Sequence, residues 1–214
     1  MTTATTFKVP STATRVQHAE RGIVELSITS QDGDPAVNPF DVRSHEQRVA
    51  ELLQVLVLRA AELEEEGDVT HYRHTPVQVS SPAVVTADGS LATIATATAS
   101  LTVKFSAVDE VESFVIAASV LGADIVDVRW KLTEKTRDLL VAGVQRRAVK
   151  KAKKLADAFA THLDYDGDLA VDDFEVICTG VEAGERNDYS APDITVHASV
   201  KVTFSTLEED DDED

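Results

Sequence analysis

The chain has 214 residues, 43% of them hydrophobic, and a formal charge of −18 from 38 acidic and 20 basic residues. That length is enough to bury a full core, so no disulfide or structural metal is needed to hold the fold. A field this negative repels phosphate backbones and anionic lipid surfaces, which argues against nucleic-acid or membrane-surface binding.

Aromatic residues make up 5% of the chain, so the core must be built from Val, Ile, Leu and Ala. Cys178 is the only cysteine, which excludes an internal disulfide and a cysteine-based zinc site. Its neighbours Val176 and Ile177 predict a buried strand thiol. No run approaches 18 apolar residues, and the opening stretch lacks the apolar segment of a signal peptide. The expected location is the cytoplasm.

Residues 1–19 are rich in Thr, Ala and Ser with Pro10 among them, and are expected to be a disordered leader. Val24, Leu26 and Ile28 then alternate with Glu25, Ser27 and Thr29, which is the period of a strand. After a loop holding Gly33, Pro35 and Pro39, Ser44 and Gln47 are spaced as a helix capping box. The helix they would open carries Val49, Leu52, Leu53, Leu56, Ala60 and Leu63 and stops at Gly67. Residues 69–80 read as an extended segment that Pro76 confines to a sheet edge.

The clearest strand runs from about Leu91 to Phe105, with Ala95, Ala97, Ala99, Leu101, Val103 and Phe105 on one face. Thr96, Thr98, Ser100, Thr102 and Lys104 fill the other, a pattern that favours antiparallel neighbours. A short helix is expected from Asp109 to Leu121. A strand from Ile125 to Leu132 follows, with Val126, Val128, Trp130 and Leu132 on one face. The longest helix spans Glu134 to Leu163, and strands at Phe174–Cys178 and Ile194–Thr206 complete the elements.

The segment ASLTVKFS at 99–106 is repeated as ASVKVTFS at 198–205. The same offset lays the first long helix over the C-terminal part of the second. The expectation is an α+β fold of duplicated β-α-β-β units forming a largely antiparallel sheet system, with helices packed on one face. It comprises a single domain over 20–207, with halves at about 20–106 and 124–207. Glu208 to Asp214 are all acidic and are expected to be a disordered tail, a solubilising segment or a docking site for a basic protein.

Three patterns invite functional readings. Arg146, Arg147, Lys150, Lys151, Lys153 and Lys154 share one side of the long helix, opposite Val144, Ala148, Ala152, Leu155, Ala156 and Phe159. This is expected to be a solvated face, or one that meets acidic surface on another subunit. Asp164, Asp166, Asp168, Asp172 and Glu175 fall at positions 1, 3, 5, 9 and 12 of a calcium-loop count. The position that demands Gly is Leu169, however, and a strand follows instead of a second helix, so an acidic turn is the better expectation. Of these residues, Asp164, Asp166, Asp168 and Glu175 are the candidate metal ligands, and a ligand- or calcium-binding module sited there is the alternative reading. The six histidines form no metal signature, and no phosphate loop or nucleophile elbow is present. No cofactor and no catalytic activity are expected.

The stretches 105–111 and 121–133, the Ala- and Lys-rich helix 147–160 and the closing strand 193–204 together resemble the SIMPL-domain family in order and spacing. The resemblance covers about residues 20–206. It implies homo-oligomeric, ring- or channel-like assemblies, stress-related roles and no established catalytic residues. Many relatives are exported to the cell envelope, whereas this chain opens without an export signal and carries an acidic tail. The expected partner is therefore a second copy of the chain, in the cytoplasm.

Overall fold

A computed structural model of the chain describes residues 6–31, 42–81, 83–85, 91–93, 95–162, 169–184 and 189–206. In chain order the elements are β1 (Thr6–His18), β2 (Arg21–Gln31), α1 (Val42–Glu66), β3 (Val69–His74), β4 (Gln78–Ser80), β5 (Ala83–Val85) and β6 (Leu91–Thr93). They continue as β7 (Thr96–Phe105), α2 (Asp109–Val120), β8 (Asp124–Lys131), α3 (Glu134–His162), β9 (Leu169–Ala183) and β10 (Asp193–Thr206). The loop with Gly33, Pro35 and Pro39 lies outside the described residues. All described strand pairs are antiparallel, as the alternation at residues 95–105 predicts.

The chain forms two compact units. One is built on a sheet of order β3-β7-β2-β8, with β4 continuing the β3 side of β7 and the short β5–β6 pair apart from it. Val24, Leu26 and Ile28 of β2 and every second residue of β7 from Ala97 to Phe105 are buried on one face. The helical stripe Val49, Leu53, Leu56, Ala60 and Leu63 of α1 closes over that face together with Val111, Phe114, Val115 and Ala118 of α2. Each of the larger apolar side chains, fully buried, contributes about 1.5–3 kcal/mol. Both helices end in the same way. Gly67 (φ 89°) and Gly122 (φ 91°) take the left-handed conformation. The following amides, of Asp68 and Ala123, reach back to the carbonyls of Leu63 and Ala118.

The other unit is a sheet of order β1-β10-β9 under α3. Ile194, Val196, Ala198, Val200, Val202 and Phe204 of β10 are all buried. The α3 stripe Leu140, Val144, Ala148, Ala152, Ala156 and Ala160 recurs every fourth residue. Its small side chains bring the helix close to the sheet, where Ala148, Ala152 and Ala156 pack with Val9, Val200, Val202 and Phe204.

Several expectations are corrected. Residues 6–18 are not a leader: β1 pairs with β10 along its whole length, from Thr6 opposite Ser205 to His18 opposite Asp193. Pro10 is compatible with this because β1 is an edge strand, the place in a sheet where proline is tolerated. Within the expected 20–207 domain the chain clusters into two units, and the expected halves do not coincide with them. β8, which would open the second half, lies beside β2, while β1 occupies the place next to β10. The duplication is therefore not established. Ser44 lies inside α1 rather than capping it, and Gln47 bonds Glu51. In β8 a bulge opposite Glu25 and Leu26 shifts the register. Ile125, Val128 and Trp130 turn to the core and Val126 is left 62% exposed. The edge segment 69–80 is β3 and β4, interrupted around Pro76.

Candidate assembly surface

The residues of the calcium count are only partly described. Asp164, Asp166 and Asp168, like the acidic run 208–214, lie outside the described residues. Glu175 is exposed in the middle of β9, opposite Lys201. Extended chain rises about 3.3 Å per residue, so Glu175 stands roughly 20 Å along the strand from its start at Leu169. Among the described residues no three His, Cys, Asp or Glu side chains gather as metal ligands would.

The β2-containing unit holds a groove of about 400 Å³ between α1 and α2, lined by Val55, Leu58, Phe114, Ala117 and Leu121, with Arg59 and Glu62 at its rim. Arg59 and Glu62 pair with each other at 3.2 Å. A smaller recess of about 190 Å³ lies at Ser27, Thr75, Gln78, Thr98 and Ser100. Its hydroxyls serve the fold: Thr75 Oγ1 accepts from the Ser100 amide at 2.9 Å and lies 3.2 Å from Ser100 Oγ. Neither recess assembles an acid, a base and a nucleophile.

The most unusual surface is β9. It is an edge strand of 15 residues, far longer than the expected Phe174–Cys178, and it is exposed along nearly its entire length. Its helix-side residues, those opposite the buried row of β10, include Val171, Phe174, Val176, Thr179 and Val181. All five are exposed, Phe174 by 53%. α3 sits over β10 and β1 and barely reaches β9, where Gln145 Nε2 donates to Thr179 Oγ1 at 3.4 Å. Cys178 is exposed too, which corrects the buried thiol: it lies on the other face of β9, opposite Ser199. That face also carries Asp173, Glu175 and Glu182.

The basic side of α3 is solvent-facing as expected, with all six cations exposed. Lys151 Nζ donates to the Thr12 carbonyl of β1 at 3.5 Å. Leu155 and Phe159 follow Lys151 at intervals of four and so line the same, β1-facing flank of the helix. They are not buried with the alanine stripe, contrary to expectation; Phe159 is 59% exposed.

A model of the SIMPL family, described as "Protein of unknown function (DUF541)", matches residues 7–204. The chain belongs to the SIMPL family. The matched span begins in β1 and ends in β10, so the SIMPL region includes the first strand that composition assigned to a leader. No curated protein matches the chain. No helix among the described residues is long and apolar enough to cross a membrane.

The signal for an exposed β9 was present in the sequence. Acidic residues fall on both alternations, at Asp172 and Glu182 and at Asp173 and Glu175. Such a segment lacks in its sequence the clean apolar row that a strand in the middle of a sheet would show; in the fold the register shifts bring Asp173, Glu175 and Glu182 to one face.

Proposed function

We propose that this SIMPL chain is a non-enzymatic protein that self-assembles into a defined, ring- or cage-like homo-oligomer through the edges of its three-stranded sheet. The observation that carries this reading is β9, a long edge strand whose apolar side chains stay uncovered among the described residues of the unit. Such an edge is a template for another strand. An exposed single thiol, Cys178, is in keeping with a reducing compartment and hence a cytoplasmic protein. A stress-related role enters from the family resemblance alone.

The test is Phe174→Lys. Phe174 is half-exposed, so the fold should tolerate the change, while a lysine on the edge should disfavour strand addition. Sedimentation velocity should then show a shift toward the monomer. An oligomer identical to that of the unaltered protein would remove β9 from the interface.

A further inference from the structure

We infer that β9 of one copy pairs in parallel with β1 of the next, so that the three-stranded sheet continues head to tail from copy to copy. This rests on the self-assembly reading and names the partner of its exposed edge.

Charge selects the pairing. β9 carries Asp172, Asp173, Glu175 and Glu182 and no cation, whereas β1, in a strongly acidic protein, carries Lys8 and Arg15 and no acid. Pairing either edge with its own copy would set like charges side by side, which is destabilising. Of the pairings that these two edges allow, only β9 against β1 joins opposite signs, with Lys8 on the face that carries Asp173 and Glu175 and Arg15 on the helix side. Both edges also carry features that discourage indiscriminate pairing: two register shifts in β9 and Pro10 in β1. Direction follows from the fold. β1 and β9 each run antiparallel to β10 and hence parallel to one another, so a neighbour added in the same orientation pairs in parallel.

The levels match as well. Lys8 and Asp173 both lie opposite Thr203, on its two sides and on the same face of the sheet. An unstaggered neighbour therefore sets Lys8 beside Asp173. On the helix side, the exposed Val171, Phe174 and Val176 lie beside Phe204, Val202 and Val200, the level at which Ala148, Ala152 and Ala156 of α3 pack. The β1-facing flank of α3 offers Leu155 and Phe159 there, so the uncovered apolar row of β9 would meet the uncovered apolar flank of the next α3.

The single cysteine makes the pairing testable. Thr12 and Cys178 both lie opposite Ser199, on its two sides. Within one copy they are two strand spacings apart, roughly 10 Å, which exceeds the reach of a disulfide. Between copies joined head to tail they are neighbours. Mild oxidation of Thr12→Cys should produce a ladder of dimers, trimers and larger species on a non-reducing gel, and adding Cys178→Ser should abolish it. A native oligomer that yields no species beyond a dimer, or a ladder that survives Cys178→Ser, would overturn the pairing while leaving assembly intact. A monomeric native protein would overturn both. Should Thr12→Cys fail to fold, charge reversal decides: Lys8→Glu should weaken assembly severalfold and Lys8→Glu with Asp173→Lys should restore it. Assembly unaffected by Lys8→Glu would overturn the inference.

Discussion

Phe7 in the first strand and Phe204 in the last stack on each other, with ring centroids 5.7 Å apart and planes inclined by 25°. The stack joins the start of the chain to the core under α3, where Phe7 packs as a partly buried residue. Phe7→Ala should therefore lower stability by about 2 kcal/mol, less than the loss from a fully buried Phe. Urea unfolding checks this, and an unchanged midpoint would mean that β1 contributes nothing to the unit.

At Gly22 of β2 the sheet packs tightly against Val111 of α2 and Trp130 of β8. A Cβ there would stand 2.6 Å from Val111 Cγ2 and 3.3 Å from the Trp130 ring. Gly22→Ala should cost about 1–3 kcal/mol by overpacking. A Cβ at Gly143 in α3 would meet nothing within 4 Å, so Gly143→Ala should instead add up to about 1 kcal/mol through helix propensity. The two changes, compared by thermal unfolding, should have opposite signs; equal signs would contradict the packing described at Gly22.

Ser11 is buried in β1, and its hydroxyl has no hydrogen-bond partner among the described residues. An unmet buried hydroxyl costs about 1–3 kcal/mol, so Ser11→Ala should raise stability by about 1 kcal/mol. A clear loss in the melting temperature would reveal a partner for that oxygen.

Millimolar calcium should raise the melting temperature no more than magnesium does, because a selective site would stabilise the native state by mass action. Glu175 is fixed on β9, away from the start of the strand. A calcium-selective rise that disappears in Asp164→Ala would establish the site that the spacing of Asp164, Asp166, Asp168 and Glu175 suggests.

The legible parts of this fold are those where one face is buried. In β10 the apolar residues occupy every second position from Ile194 to Phe204, and in β7 from Ala97 to Phe105, so strand and core face follow from the sequence. Gly67 and Gly122 likewise mark the helix ends correctly. The edges are harder. β1 alternates weakly because its inward row includes Ser11 and Ala13, and Pro10 interrupts it. β9 has acidic residues on both alternations of its sequence, and the register shifts that bring Asp173, Glu175 and Glu182 to one face break its period. The candidate surface lies on these two strands, which is why the sequence pointed to assembly through family resemblance, long alternating strands and the basic face of α3, and not through the edge residues that would mediate it.

The most direct test is the native mass by light scattering at micromolar concentration and moderate salt. The account predicts one defined species at a multiple of the 23.1 kDa chain mass. A monodisperse monomer near that mass would contradict it.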